Sequence, residues 1–350
     1  MKKILFVFNH PAPYKVRLLN ELNSFYDLTV IFERNNSKNR NNDFYFENNY
    51  KFKTINIKGL KIGDENIISN GIKNHLKNNK YDLVIMNGYS TFAEIKAIKY
   101  LKKKKINYCL YINGGIIPSK ECKLKKRVKT NLISNANFYM SPDENSNKYL
   151  NYYGAKKENI YNYTYSTIYK NEICCKDLNA NAGNVFVTSG QLIKRKNIFN
   201  LIKSWPNNQH DILLVFGDGK LKKPINKYLK LNNIKNIKMM GFLPRKEMLE
   251  YFKTAKAFIF PTNEDIYGHV VLEAMSQGLP VISSKHSNAS LKLIKNDYNG
   301  FLLNEINKES IENAIKNIDK INKQDVIKTA EDNTIEKMVQ DHLRILDHRF

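Results

Sequence analysis

The chain has 350 residues, a length that at roughly 150 residues per domain points to two domains, each able to bury its own core. Hydrophobic residues make up 42% and aromatics 11%, which excludes a disordered chain and a collagen-like repeat. Lys plus Arg number 57 against 33 Asp plus Glu, a formal +24, so an anionic partner is expected, although the abundance of Lys, Asn, Ile and Tyr also fits AT-rich coding.

The opening run to Phe8 is too brief for a signal-peptide core with a cleavage site, and no stretch approaches the ~18 apolar residues of a membrane span. An unexported, cytoplasmic protein is expected. Cys109, Cys122, Cys174 and Cys175 show no Cys-x-x-Cys spacing and two are adjacent, a poor start for a disulfide framework and consistent with a reducing compartment.

In chain order, Ile4 to Phe8, Leu28 to Phe32, Lys53 to Ile57, Leu83 to Met86, Tyr108 to Ile112 and Asn137 to Met140 read as strands. Helical spacing falls between them, as in Lys15 to Asn23 and in Phe92 to Lys103, where Ile95, Ile98 and Leu101 share a face. Alternation of this kind predicts a parallel, doubly wound sheet. The periodicity loosens from Tyr165 to Asn184, the expected linker. A second set follows, with strands at Val185 to Thr188, Ile212 to Phe216, Ile237 to Met240, Ala257 to Phe260 and Val281 to Ser283 and helices starting near Asn197, Leu221, Arg245 and Gly268. The expected domains are 1–170 and 185–333, with polar helices at the C-terminus and 334–350 returning to the first domain.

Charge is densest at Lys102 to Lys105 and Lys120 to Lys129. The second stretch has Cys122, Leu124, Val128, Leu132 and Ile133 among its cations and reads as an amphipathic basic helix, either lying on anionic lipid or packed on the sheet.

The most informative segment is Pro261-Thr-Asn-Glu-Asp-Ile-Tyr-Gly-His-Val-Val-Leu-Glu-Ala-Met-Ser-Gln-Gly-Leu-Pro-Val-Ile. It reads as a loop feeding a helix over 268–277, with Gly278 just past its end. Glu273 lies among Val270, Val271, Leu272, Ala274 and Met275, and a buried carboxylate needs partners. A core Lys or Arg is one such partner. Sugar hydroxyls are another, because Asp265 lies eight positions earlier and the peptide N–H groups of Gly268, His269 and Val270 present the positive end of the helix between the two carboxylates. A diphosphate flanked by hydroxylated groups, the shape of a nucleotide sugar, matches that layout. In Gly190-Gln-Leu-Ile-Lys-Arg-Lys-Asn, Lys194, Arg195 and Lys196 enter a helix whose dipole they oppose, which reads either as an anion site or as a solvated charged face of a Lys-rich chain.

These segments resemble the retaining glycosyltransferases of family 4, within glycosyltransferase group 1. The family's Glu-x7-Glu element with its Ala-Met-x-x-Gly-x-Pro-Val-Ile tail resembles Asp265-x7-Glu273-Ala-Met-Ser-Gln-Gly-Leu-Pro-Val-Ile, and its Gly-Arg-Leu-x-x-x-Lys-Gly element resembles the run from Gly190 to Asn197. Val215-Phe-Gly-Asp-Gly, Met240-Gly-Phe-Leu-Pro and His10-Pro-Ala-Pro-Tyr-Lys-Val-Arg-Leu are similar to further family elements. Asp265 stands for the usual first Glu, Gln191 for the usual Arg, and Pro11-Ala-Pro13 for a Gly-Gly loop.

The resemblance implies an α/β protein of GT-B fold, with two facing Rossmann-like domains and a cleft between them, the first binding acceptor and the second a nucleotide sugar. It implies that Glu273 binds ribose hydroxyls, Asp265 the donor sugar, and Lys196 the departing diphosphate, which has one cation fewer here unless Arg195 substitutes. Gly190, Gly217, Tyr267, Gly268, His269 and Val270 join the donor site, and the turn at Gly241, Phe242 and Leu243 lines the base pocket. His10 and Tyr14 are expected on the acceptor side, and Asn113, in Asn-Gly-Gly after the strand Tyr108 to Ile112, either faces the cleft with them or builds an Asn-Gly turn. The implied reaction is metal-independent hexosyl transfer with retention from a UDP- or GDP-sugar to a glycan, often lipid-linked, in capsule, O-antigen or lipooligosaccharide synthesis, at the inner membrane face through Lys120 to Lys129. No cofactor beyond the donor co-substrate is expected. Asp-x-Asp, Gly-x-Gly-x-x-Gly after the first strand, and Gly-x-Ser-x-Gly are all absent, so a carboxylate-held metal, a dinucleotide fingerprint and a hydrolase elbow have no sequence support. An epimerase or hydrolase of the same architecture and a non-enzymatic nucleic-acid binder are the alternatives. The first is disfavoured by Asp265-x7-Glu273, and the second, with no nucleic acid expected, by the lack of a recognised module.

Overall fold

The structure, a computed structural model, describes residues 1–36, 45, 49–62, 66–174 and 183–349. The chain divides into two compact units, one of Met1–Tyr165 with Ile335–Phe350, the other of Ser166–Thr334.

In the first unit the strands are β1 (Lys3–Phe8), β2 (Asp27–Phe32), β3 (Lys53–Asn56), β4 (Leu60–Ile62), β5 (Asn66–Ile68), β6 (Leu83–Met86), β7 (Tyr108–Tyr111), β8 (Phe138–Ser141) and β9 (Ile160–Asn162). Seven of them form a parallel sheet in the order β3-β2-β1-β6-β7-β8-β9, while β4 and β5 make a separate antiparallel ribbon. Ile4 to Phe8 and Leu83 to Met86 are buried throughout, as central parallel strands covered on both faces must be. The helix expected from Lys15 begins at Pro13, since proline is tolerated in the first helical turn. Lys102 to Lys104 close the helix Phe92–Lys104, where cations complement the dipole.

The strand order reverses between β1 and β6, and a buried polar group gathers beside that point. Lys15 Nζ donates to Asn9 Oδ1 (3.1 Å) and Asn87 Oδ1 (3.0 Å). Thr91 Oγ1 donates to Glu33 Oε1 at 2.7 Å, while Glu94 Oε2 accepts from the N–H groups of Ser90 and Thr91. Burial, and then the neighbouring Glu94 charge, push the Glu33 carboxyl up to about 8, against the lowering effects of Thr91 and Arg34. A carboxyl raised on folding supports the fold most fully below its unfolded value and loses that support as pH rises to its folded value. Stability is therefore expected to fall from about pH 4.5 to about pH 8, and Glu33→Gln to flatten this decline in melting temperatures taken across that range.

The C-terminal helix Ile335–Asp347 belongs to the first unit and packs on Pro13–Leu22. Asp341 Oδ2 accepts from Thr164 N and Oγ1, both at 2.8 Å, and Asp347 Oδ1 from Tyr26 Oη at 2.6 Å. This helix is not simply polar: Ile335, Met338, Val339, Ile345 and Leu346 are buried, and His342 is enclosed by Tyr111 and Tyr163.

In the second unit β10 (Val185–Ser189), β11 (Ile212–Phe216), β12 (Ile237–Gly241), β13 (Ala257–Phe260), β14 (Val281–Ser284) and β15 (Gly300–Leu303) form a parallel sheet in the order β12-β11-β10-β13-β14-β15. Both large sheets are thus doubly wound, and here the reversal falls between β10 and β13. Residues read from sequence as the start of a linker are built into this unit: Ser166 Oγ donates to Asn333 O (2.7 Å), and Cys174 N to Ser276 O (2.8 Å). The rest of that stretch, 175–182 with Cys175, lies outside the described residues.

Candidate functional site

Ligands of open α/β sheets bind beyond the carboxyl ends of the strands where the order reverses, here the ends of β10 and β13. The three adjoining strand ends are stitched through backbone. Gly190 N donates to Phe216 O (3.0 Å), Leu192 N to Asp218 O (2.9 Å) and Gly217 N to Gly241 O (2.7 Å).

After β10 the chain makes a 3-10 turn over Lys194–Lys196, and Asn197, at φ 58°, turns it into the helix Ile198–Ser204. That turn is tied to the loop after β13. Asn197 Nδ2 donates to Pro261 O (3.0 Å), Asn263 N to Arg195 O (2.9 Å) and the Arg195 guanidinium to Glu264 O (2.7 Å). The two loops therefore hold Lys196 against Asp265 in an ion pair, with 15% and 17% of the side chains exposed. A cation and a carboxylate that are mostly sheltered yet keep some exposure form a site that an anion and a hydroxyl can share.

Downstream, Asp265 N donates to His286 O (2.8 Å) and Ser287 Oγ to Tyr267 O (2.5 Å), which fastens the loop to the end of β14. Tyr267 is buried with its ring 5.0 Å from that of His269. The helix expected over 268–277 is only Val270–Met275, because residues up to His269 form a turn and Ser276 to Gly278 unwind toward β14. Its dipole is correspondingly short.

On that helix Val271, Leu272, Ala274 and Met275 face the core, and Glu273 meets a cation. Arg245 Nε donates to Glu273 Oε1 at 2.7 Å, and Arg245 Nη1 to Glu172 Oε1 at 2.8 Å. Glu172 is itself held, its Oε2 accepting from Tyr169 N at 2.8 Å. Burial disfavours the Arg245 charge, yet the Glu273 and Glu172 carboxylates outweigh it and bind the guanidinium proton more tightly than usual.

Gly190, Arg195, Lys196, Gly217, Gly241, Phe242, Asp265, Tyr267, Gly268, His269, Val270 and Glu273 all lie on segments at or following the ends of β10, β11, β12 and β13. Phe242 has 41% of its surface exposed at the end of β12. His10, Tyr14 and Asn113 belong to the first unit. His10 is buried with Nδ1 3.4 Å from Tyr45 Oη, Tyr14 packs its ring 5.4 Å from Tyr165, and Asn113 pairs its amide with Asn87 at 3.2 Å. Sequence reasoning missed Arg245 and Glu172. Arg245 opens the helix Arg245–Thr254 directly after Pro244, and a cation opposing a helix dipole is the signal that singled out Lys194 to Lys196. Glu172 carried none. Among the described residues no group of three or more His, Cys, Asp or Glu could hold a metal ion, and Cys109 and Cys122 are free thiols.

Residues 173–332 match the family model of glycosyl transferases group 1. An uncharacterized glycosyltransferase of Methanocaldococcus jannaschii, MJ1178, is 26% identical over 144 residues, 41% of this chain and 40% of that protein. The amylovoran biosynthesis glycosyltransferase AmsK of Erwinia amylovora is 37% identical over 75 residues, 20% of this chain and 18% of its own length. These matches span less than half of either relative. The crystal structure of Anabaena Alr3699/HepE in complex with UDP superposes over 99% of this chain and 100% of that one, with a TM-score of 0.77 at 13% identity. The chain therefore has the GT-B fold of two Rossmann-like units, and its second unit matches the group 1 glycosyltransferase model.

Proposed function

We propose that the protein is a retaining glycosyltransferase of family 4 type that moves a hexose from a UDP- or GDP-sugar to a glycan acceptor, lipid-linked, in bacterial surface polysaccharide synthesis. The observation that carries this is the pair of ionic contacts beside the strand reversal, Lys196 with Asp265 and Arg245 with Glu273. In this reading Lys196 receives the diphosphate, Asp265 the hexose hydroxyls, Glu273 the ribose, and Phe242 the base face. The UDP bound by the Anabaena protein supports the uridine donor, and the amylovoran enzyme supports a polysaccharide product.

The anomeric carbon–oxygen bond to the donor phosphate breaks while a bond to the acceptor oxygen forms on the same face. The acceptor proton passes to the departing phosphate oxygen. Lys196 stabilises the negative charge that develops on the diphosphate, the kind of electrostatic contribution that dominates many such barriers. His10, Tyr14 and Asn113 of the first unit orient the acceptor. The expected product has the donor's anomeric configuration, and an inverted anomer in its proton NMR spectrum contradicts the mechanism. Activity is expected to survive chelator. Phe242→Ala is expected to weaken nucleotide binding by about tenfold, by analogy with base stacking on aromatic side chains, as read by calorimetry.

Peripheral attachment to anionic lipid belongs to the same proposal. The helix Lys123–Ile133 buries Leu132 and Ile133 but leaves Leu124 71% and Val128 51% exposed, one turn apart among its cations. No described helix is long and apolar enough to cross a membrane. Sedimentation with phosphatidylglycerol vesicles is expected at moderate salt and is expected to be lost in Leu124→Glu; absence of sedimentation by the parent protein removes the membrane contact.

A further inference from the structure

We propose that Arg245 is the specificity-determining residue of the nucleotide site, fixing Glu273 and reading one ribose hydroxyl jointly with it; this rests on the second unit binding a nucleoside diphosphate. Three features of the charged trio carry the inference. Glu273 spends only Oε1 on Arg245, and its Oε2 has no hydrogen-bond partner among the described residues, although 12% of the side chain is exposed. Arg245 spends Nε on Glu273 and Nη1 on Glu172. Its Nη2 is buried with no hydrogen-bond partner among the described residues.

A carboxylate only accepts hydrogen bonds and a guanidinium only donates them, whereas a hydroxyl does both. Glu273 alone satisfies the proton of a ribose hydroxyl and leaves its oxygen without a donor. Arg245 Nη2 supplies that donor, and the hydroxyl relieves a buried N–H that is otherwise costly to leave unmade. Glu172 sets the guanidinium plane from its other edge, and is itself tethered by Tyr169 N and by Gln277 Nε2 on Glu172 O at 3.0 Å. A lysine offers no such planar fork, so Arg245→Lys keeps the charge and loses the geometry.

The test is calorimetric titration of the full chain, its Arg245→Lys and Arg245→Gln forms, with UDP, 2′-deoxy-UDP, 3′-deoxy-UDP and pyrophosphate, and with the guanosine series in parallel. The parent protein is expected to prefer the ribonucleotide over one of the two deoxy forms by at least about tenfold. Both variants are expected to shrink that ratio to about threefold or less while binding pyrophosphate within about twofold of the parent. An undiminished ratio in the variants, or a parent that does not discriminate, overturns the role of Arg245 while leaving nucleotide binding intact. Loss of pyrophosphate binding in step with the nucleotides assigns Arg245 a merely structural role and also overturns it. A parent that binds no nucleoside diphosphate removes the underlying site and the inference together. Where Arg245 substitutions fail to fold, a parent that does not discriminate still overturns the inference without any variant.

Discussion

Lys196→Ala is expected to lower glycosyl transfer by about a hundredfold or more, the scale on which removal of one charge-stabilising donor acts. The loss has two parts. The departing diphosphate loses its cation, and Asp265, which now pairs with Lys196, is left as an uncompensated carboxylate where an anion must sit. The double variant Lys196→Ala with Asp265→Asn is therefore expected to recover part of the nucleotide affinity but not of the turnover. Asp265→Asn alone removes the competing carboxylate from Lys196, so UDP binding is expected to hold or tighten while turnover falls through the lost sugar contact. Calorimetry and steady-state rates on the same preparations separate these outcomes. Parallel losses of affinity and turnover in Asp265→Asn contradict the division of labour between the pair.

Gly217→Ala is expected to remove the site by a different route. Gly217 has φ +133°, and a Cβ there would lie 2.0 Å from Gly190 O, an atom fixed by the stitching of β10 to β11. Neither backbone can yield without opening the strand ends. A loss of about 3 kcal/mol or more is expected, combining backbone strain with overpacking, and it corresponds to a fall of roughly 6–12 °C in melting temperature for a unit of this size. Gly241 supplies the contrast. Its φ is +77°, yet nothing lies within 4 Å of an added Cβ, so Gly241→Ala is expected to cost only about 1–2 kcal/mol, the left-handed penalty alone. Equal melting temperatures for the two variants contradict the close approach at Gly217.

The expected strands at Ile4 to Phe8 and Leu83 to Met86 were readable because fully buried parallel strands are continuous apolar runs. β9, β15 and the β4–β5 ribbon were not, being three- or four-residue segments with only part of each surface covered. The loops bearing Lys196 and Asp265 could be located because each follows a recognisable strand, but their ion pair joins residues 69 apart and depends on the hydrogen bonds that Arg195 and Asn197 make to the loop after β13. Glu273 announced itself as a charge in an apolar run. Its partner did not, since Arg245 lies on another helix and its second carboxylate, Glu172, sits in a stretch whose composition resembles a linker. The short helix at Val270 shows the opposite error, where a helix-compatible sequence yields to the turns on either side.

The most direct measurement is titration of the full chain with UDP and GDP, with and without chelator, in the parent protein and in Glu273→Ala, read by calorimetry and by the rise in melting temperature that binding produces. Chelator-insensitive binding of one nucleotide that is weakened at least about tenfold in Glu273→Ala is the expected result. Absence of binding by either nucleotide, or binding that Glu273→Ala leaves unchanged, contradicts a nucleotide-sugar site at the carboxyl ends of β10 and β13.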